Sequence, residues 1–377
     1  MNEKEVSEIR RRFRPEKSNI TGIRGCYVNE NREIVAEFCP SLALMEQEEA
    51  EKLLGILKKS LSGTLGKNLL NLSFTTQQVV NGEEHRLLMA LRSSSLQDEE
   101  AVQAFYQKVI ASLQIEGTYL ILLAHDAYDV PYRAKDGELQ EDASSEVYSY
   151  ILCCVCPIKP TKPALSYYVT QNEFHNRKED WLVGAPELGF LFPAFDDRCA
   201  NLYGSLYYTR SAGEIHEEFI RAVFQLDPPM PAEEQKEAFQ EVLAESLAEE
   251  CSYEVMQTVH EKLCGLIEDH KANKEEEPLA ISRETVRQVL SSCGVEEGHV
   301  AAFEEKYDEA FGEGTEISPQ NLVNAKQFEL RTPDVVIKVN PERRDLVETR
   351  VINGAKYILI RADEGVEVNG VSIHIEE

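Results

Sequence analysis

Apolar positions recur along this chain with two periods, and the chain divides where the period changes. Over residues 213–317 the spacing is helical. Phe219, Ile220, Val223 and Phe224 form one stripe; Phe239, Val242, Leu243 and Leu247 form a second; Val255, Met256, Val259, Leu263, Leu266 and Ile267 form a third. These stripes predict three amphipathic helices in series. Pro228, Pro229 and Pro231 separate the first two, and a charged, Pro-ended linker from Lys274 to Pro278 follows the third. Ser282 with Thr285, Val286, Val289 and Leu290 predicts a shorter helix, and Val300, Phe303, Tyr307 and Phe311 predict another, a pair suited to a small helical hairpin.

From Phe328 the pattern alternates. Val335, Ile337 and Val339 interleave with Val336 and Lys338, and Asn353-Gly354 sits between the strand-like segments Leu346 to Ile352 and Ala355 to Arg361. A second Asn-Gly, Asn369-Gly370, joins Val366–Val368 to Val371–Ile375. Both central residues of a type I′ turn need positive φ, which Asn-Gly supplies at least cost, so residues 328–377 are predicted to form an antiparallel sheet.

The first 212 residues mix both periods. Val6, Ile9 and Phe13 predict a short helix, and Cys26–Val28 and Ile34–Phe38 a hairpin around Asn29 to Arg32. Leu53, Leu54, Leu57 and Leu61 stripe one helix; Val102, Phe105, Val109 and Leu113 stripe another. Two apolar strands follow, Tyr119 to Ala124 and Val147 to Cys156, with the polar segment Lys135 to Ser145 read as an exposed loop between them. The fold class is therefore α+β: an antiparallel-sheet domain over 1–212, a helical region over 213–317 and a small antiparallel β module over 318–377, without an internal repeat.

Charge sharpens that division. The 377 residues carry 67 acidic and 39 basic side chains, a formal net charge of -28. Residues 213–317 hold 27 acidic against 8 basic, and residues 318–377 hold 10 against 8, so the helical middle carries most of the acidity. Such a field opposes delocalised binding to phosphate or anionic lipid and favours basic partners. The longest aliphatic stretch, near Tyr119 to Ala124, is far short of the roughly 20 residues of a membrane-spanning helix. The opening Met1, Asn2, Glu3 and Lys4 lacks the apolar core of a secretion signal, and a cytoplasmic location is expected. Nine cysteines, an odd number spread from Cys26 to Cys293, suit reduced and mostly buried thiols.

The most enzyme-like cluster is His125, Asp126 and Asp129, where the strand Tyr119 to Ala124 runs out. A His with two carboxylates offers nitrogen and oxygen ligands or an acid/base pair, and His175, Asp196 and Asp197 would extend the set if the fold brought them close. The plainer reading makes Asp126 and Asp129 turn caps before Pro131. Cys153, Cys154 and Cys156 suggest a metal cluster, but in a strand Cys154 and Cys156 share one face while Cys153 points to the other. No metal and no cofactor are expected. Gly63 to Asn68 lacks the GxxxxGK[ST] spacing of a phosphate loop and reads as a helix-ending turn.

Arg10, Arg11, Arg12, Arg14, Lys17 and Arg24 form the one dense basic run. It has two kinds of acceptor: a nucleic-acid phosphate backbone, or the acidic helices of this chain or of a second copy, the latter giving a homo-oligomer.

Four segments are distinctive: Ile9 to Arg14 with Asn19 to Val28, Ser60 to Asn68, Leu120 to Tyr132, and Phe192 to Arg198. Together they make the whole chain resemble an uncharacterised domain-of-unknown-function family of anaerobic Gram-positive bacteria, which implies a folded unit and brings no activity. In the order of its parts the chain is also similar to the bacterial nucleoid-associated protein family. The function expected is a non-enzymatic cytoplasmic binding or scaffold protein, with nucleoid association implied by that second likeness. The alternative is a metal-dependent hydrolase using the His/Asp cluster.

Overall fold

The computed structural model describes residues 1–133, 139–273, 275, 277–362 and 365–374. It is mixed α+β with antiparallel strand pairing throughout its sheets. The chain divides into two compact units, Met1–Glu233 and Glu234–Glu275 with Leu279–Glu377.

The N-terminal unit is built on one large sheet. Its strands run in the order Ile34–Phe38, Ile23–Val28, Thr118–Arg133, Leu139–Pro160, Leu188–Phe192, Gly204–Thr209 and Leu69–Ser73, with Trp181–Val183 also paired to Leu139–Pro160. The two central strands read as continuous apolar runs because both of their faces are covered. Period-2 alternation sorts their side chains: Ile121, Leu123, Ile151, Cys153 and Val155 enter one core, and Leu120, Leu122, Ala124, Leu152, Cys154 and Cys156 enter the other. Helices Glu83–Ser93, Glu99–Ser112 and Glu217–Phe224 fill the first face; Glu3–Arg10 and Gln47–Lys59 fill the second. Gly189 lets the second helix layer approach, since a Cβ there would stand 2.6 Å from the Cys153 carbonyl oxygen and 2.9 Å from Ser60 Cβ.

Three expectations change in detail. The stripe Phe219 to Phe224, grouped by charge with the acidic middle, packs in the core of the N-terminal unit instead. The segment expected as a loop over 135–145 is strand from Leu139 onward, and residues 134–138 lie outside the described residues. Residues 328–373 form three separate two-stranded ladders rather than one sheet.

In the second unit, helices Ala232–Leu247, Tyr253–Asn273, Arg283–Ser292 and Glu297–Phe311 surround a core of Phe239, Leu243, Leu247, Leu263, Leu290 and Phe303. The ladders follow: Phe328–Arg331 with Val336–Val339, Val347–Ile352 with Ala355–Ile360, and Val366–Val368 with Val371–Ile373. Both Asn-Gly turns have the expected left-handed backbone, with φ of 50° and 82° at Asn353 and Gly354 and of 52° and 79° at Asn369 and Gly370. Among the described residues no helix is long and apolar enough to cross a membrane.

Candidate functional site

The strand Thr118–Arg133 separates the first two members of the His/Asp cluster. Asp126 lies on the sheet face that also carries Leu122 and Ala124 and is 1% exposed. Its carboxylate accepts Arg12 Nε at 3.2 Å and Nη2 at 3.3 Å, the Asn19 backbone N–H at 3.1 Å and the Tyr150 hydroxyl at 2.8 Å. The Arg12 guanidinium also lies 4.6 Å from the Tyr128 ring centroid. Burial, with Asp126 beside it, raises the Tyr150 phenol well above its ordinary pKa.

His125 follows the alternation to the other face, where its Nε2 is 2.9 Å from Ser149 Oγ and burial lowers its pKa. Asp129 is exposed. His175 lies on the exposed strand Glu173–Arg177 and pairs with Glu173 at 3.2 Å. Asp196 accepts Asn201 Nδ2 at 2.6 Å, and Asp197 is exposed in a left-handed turn with φ of 49°. Asp126 and Asp196 both act on buried Tyr148, and Asp126 also acts on His125, whereas His175 pairs with Glu173.

The basic run is likewise divided. Arg12 is bound to Asp126, and Arg24 makes two bonds to Glu99 at 2.9 and 2.5 Å. Arg10 is part-buried, its Nε without a hydrogen-bond partner, whereas Arg11, Arg14 and Lys17 are exposed and have no ion-pair partner among the described residues. Cys153, Cys154 and Cys156 are all fully buried. Cys154 and Cys156 share a face with sulfurs 3.9 Å apart, as the strand argument requires, and Cys153 lies in the opposite core. The hydrogen bond with Cys156, together with burial, raises the Cys154 thiol; burial, with Glu37 adding to it, pushes Cys26 up to about 12, and both shifts disfavour the nucleophilic thiolate.

The most open apolar surfaces lie elsewhere. Val335, Val336, Val351, Ile352, Tyr357 and Ile360 are all more than two-fifths exposed on the first two C-terminal ladders, and Val368, Val371 and Ile373 are exposed on the third. Between the first two ladders a groove of about 640 Å³ is lined by Val335, Ile337, Val351, Tyr357 and Ile358, with Arg350 and Lys356 at its edge. Next to it is a 420 Å³ pocket lined by Phe239, Leu243, Met256, His260, Phe328 and Ile358. His260 Nε2 is 3.1 Å from the Asn324 carbonyl, which only accepts, so Nε2 carries the proton and Nδ1 faces the Cys264 sulfur at 3.5 Å. A second apolar surface, in the N-terminal unit, exposes Leu165, Val169, Phe174 and Trp181.

Sequence reading passed over both surfaces. Alternation in residues 335–360 predicted strands but not which face lacks cover, because that depends on what packs there. The i, i+4 spacing of His260 and Cys264 on a helix was the available signal for their contact.

No curated protein matches the chain. Its residues 1–371 match the family described as domain of unknown function DUF4317, and the chain belongs to that family.

Proposed function

We propose that this protein is a non-enzymatic binding and scaffold protein that self-assembles through its C-terminal ladders. The observation that carries this reading is the exposed apolar side chains on two-stranded ladders with unpaired edges among the described residues: Val351 and Ile360 share one face of the second ladder, Ile352 and Tyr357 share the other, and Val335 is exposed beside the first. An isolated two-stranded hairpin is marginal in water and gains from added strands. The favoured occupant is a second copy of this chain. Two molecules of net charge -28 repel, and residues 318–377 contribute only -2 of that charge, so strand addition there brings two copies together at least electrostatic cost.

The test is sedimentation equilibrium of the wild type and of a Val351→Lys/Ile360→Lys variant. The wild type is expected to be dimeric or larger and the variant monomeric with unchanged circular dichroism. A monomeric wild type at every concentration overturns the reading. So does an assembly that survives in this variant but is lost in Phe174→Lys/Trp181→Lys, which would move the contact to the other apolar surface.

Nucleoid association is the second reading, favoured by the exposed Arg11, Arg14 and Lys17. A metal-dependent hydrolase centred on Asp126 has less support, since Arg12, Asn19 and Tyr150 already occupy that carboxylate.

A further inference from the structure

We propose that Glu250, Glu296 and His299 bind one divalent transition-metal ion in the C-terminal unit. A carboxylate oxygen from each glutamate and a ring nitrogen of His299 all lie within 4.8 Å of one another. Glu250 ends the short 3₁₀ turn Ala248–Glu250; Glu296 and His299 lie three residues apart at the start of helix Glu297–Phe311 and so share a face.

Three features distinguish this group from a chance meeting of acidic side chains. Glu296 occupies the N-cap of its helix with its own side chain left out of the cap, so its carboxylate is open to a ligand. Neither glutamate has an ion-pair partner among the described residues, although the Glu296 backbone N–H holds the Glu250 carboxylate at 3.0 Å. Two carboxylates this close repel, and a cation held between them would relieve that repulsion. The third feature is the histidine. Its Nδ1 lies 2.7 Å from the Ser246 carbonyl oxygen, outside the cluster. A carbonyl only accepts, so in the neutral ring Nδ1 carries the proton and Nε2 keeps the lone pair; Nε2 is then the nitrogen that would take the ion, with the backing bond that metal-ligating histidines use.

The donor set selects the ion. Two carboxylates and one imidazole suit Mn²⁺, Fe²⁺ or Zn²⁺ rather than Ca²⁺, which takes six or more oxygens, and three protein ligands leave positions for water. The helical segment of the same unit, with 22 acidic against 7 basic side chains over residues 234–317, raises the local cation concentration and offsets the positive end of the helix dipole.

Mn²⁺ is the appropriate probe, because thiolates such as those of the nine cysteines prefer softer ions. Titration of the full chain with Mn²⁺ in excess Mg²⁺, read by the electron paramagnetic resonance of the free ion, is expected to give one bound Mn²⁺ per chain. His299→Ala and Glu296→Gln should each weaken binding at least about 10-fold. Since His299→Ala also removes the bond to Ser246, the isosteric Glu250→Gln serves as a second variant, with circular dichroism checking the fold of all three. The proposal is overturned if no saturable Mn²⁺ binding occurs, if affinity is unchanged in folded Glu250→Gln and Glu296→Gln, or if Mg²⁺ displaces Mn²⁺ without preference, which is the behaviour of an acidic surface atmosphere.

Discussion

Arg12 and Asp126, 114 residues apart in sequence, bring charge into a place where the chain could otherwise bury only apolar groups. Asp126 is 1% and Arg12 13% exposed, so water screens the pair poorly, and the Tyr150 hydroxyl and Asn19 N–H occupy the remaining acceptor positions. Removing one partner of such a pair leaves the other charge buried and unpaired. Asp126→Ala is expected to lower the stability of the N-terminal unit by about 3–5 kcal/mol. Urea unfolding followed by near-ultraviolet circular dichroism checks it, and a loss below about 1 kcal/mol would place the pair in the class of exposed ion pairs. The sequence showed the basic run and the carboxylate separately. It held no sign that they meet, because a salt bridge between distant segments leaves no local period. What was legible was that Asp126 is followed by Asp129 and Pro131, and this suggested a turn; the strand instead continues to Arg133.

Elements were legible where side-chain chemistry fixes backbone geometry. The turn at Asn353-Gly354 is the clearest case: positive φ at both residues matches the twist of Val347–Ile352 and Ala355–Ile360, and the register Ile352↔Ala355 closes the ladder beside it. Gly354→Ala keeps open space around the new methyl group, so the whole penalty comes from φ of +82°. That penalty is expected to be about 1–2 kcal/mol, read as faster amide exchange across the ladder with the helical core unaffected. By contrast, Leu139–Pro160 begins earlier than its composition suggests. Polar composition reports exposure, whereas a strand pairs through its backbone, so a polar stretch on a hairpin arm reads as loop. The same distinction explains the candidate sites. Alternation found the strands that carry Val351 and Ile360, but cover on their outer face is a property of whatever else packs against them. The ligand cluster of Glu250, Glu296 and His299 joins a turn to a helix start 46 residues later and has no single-segment signature beyond the Glu296/His299 spacing.

For the whole molecule, the distribution of charge makes two partner readings give opposite signs in one experiment. If two copies join through residues 318–377, each still carries the -26 of its remaining residues, and bringing those charges together opposes association. Salt shortens the range of that repulsion from about 30 Å at 0.01 M to about 3 Å at 1 M. Self-association through the apolar ladders should therefore tighten as salt rises. If the partner is nucleic acid held by Arg11, Arg14 and Lys17, salt must weaken binding, because counterions released from the phosphates have to be re-condensed. In that case replacing the three with Ala should reduce the slope of log affinity against log salt by about 0.7–0.9 per lost contact. Sedimentation equilibrium across that salt range, and filter binding of a random-sequence duplex across the same range, measure the two slopes on one preparation. A positive slope for assembly that vanishes in Val351→Lys/Ile360→Lys supports the ladder contact, and assembly that weakens with salt removes it, since no apolar contact between two strongly acidic molecules is weakened by screening their repulsion.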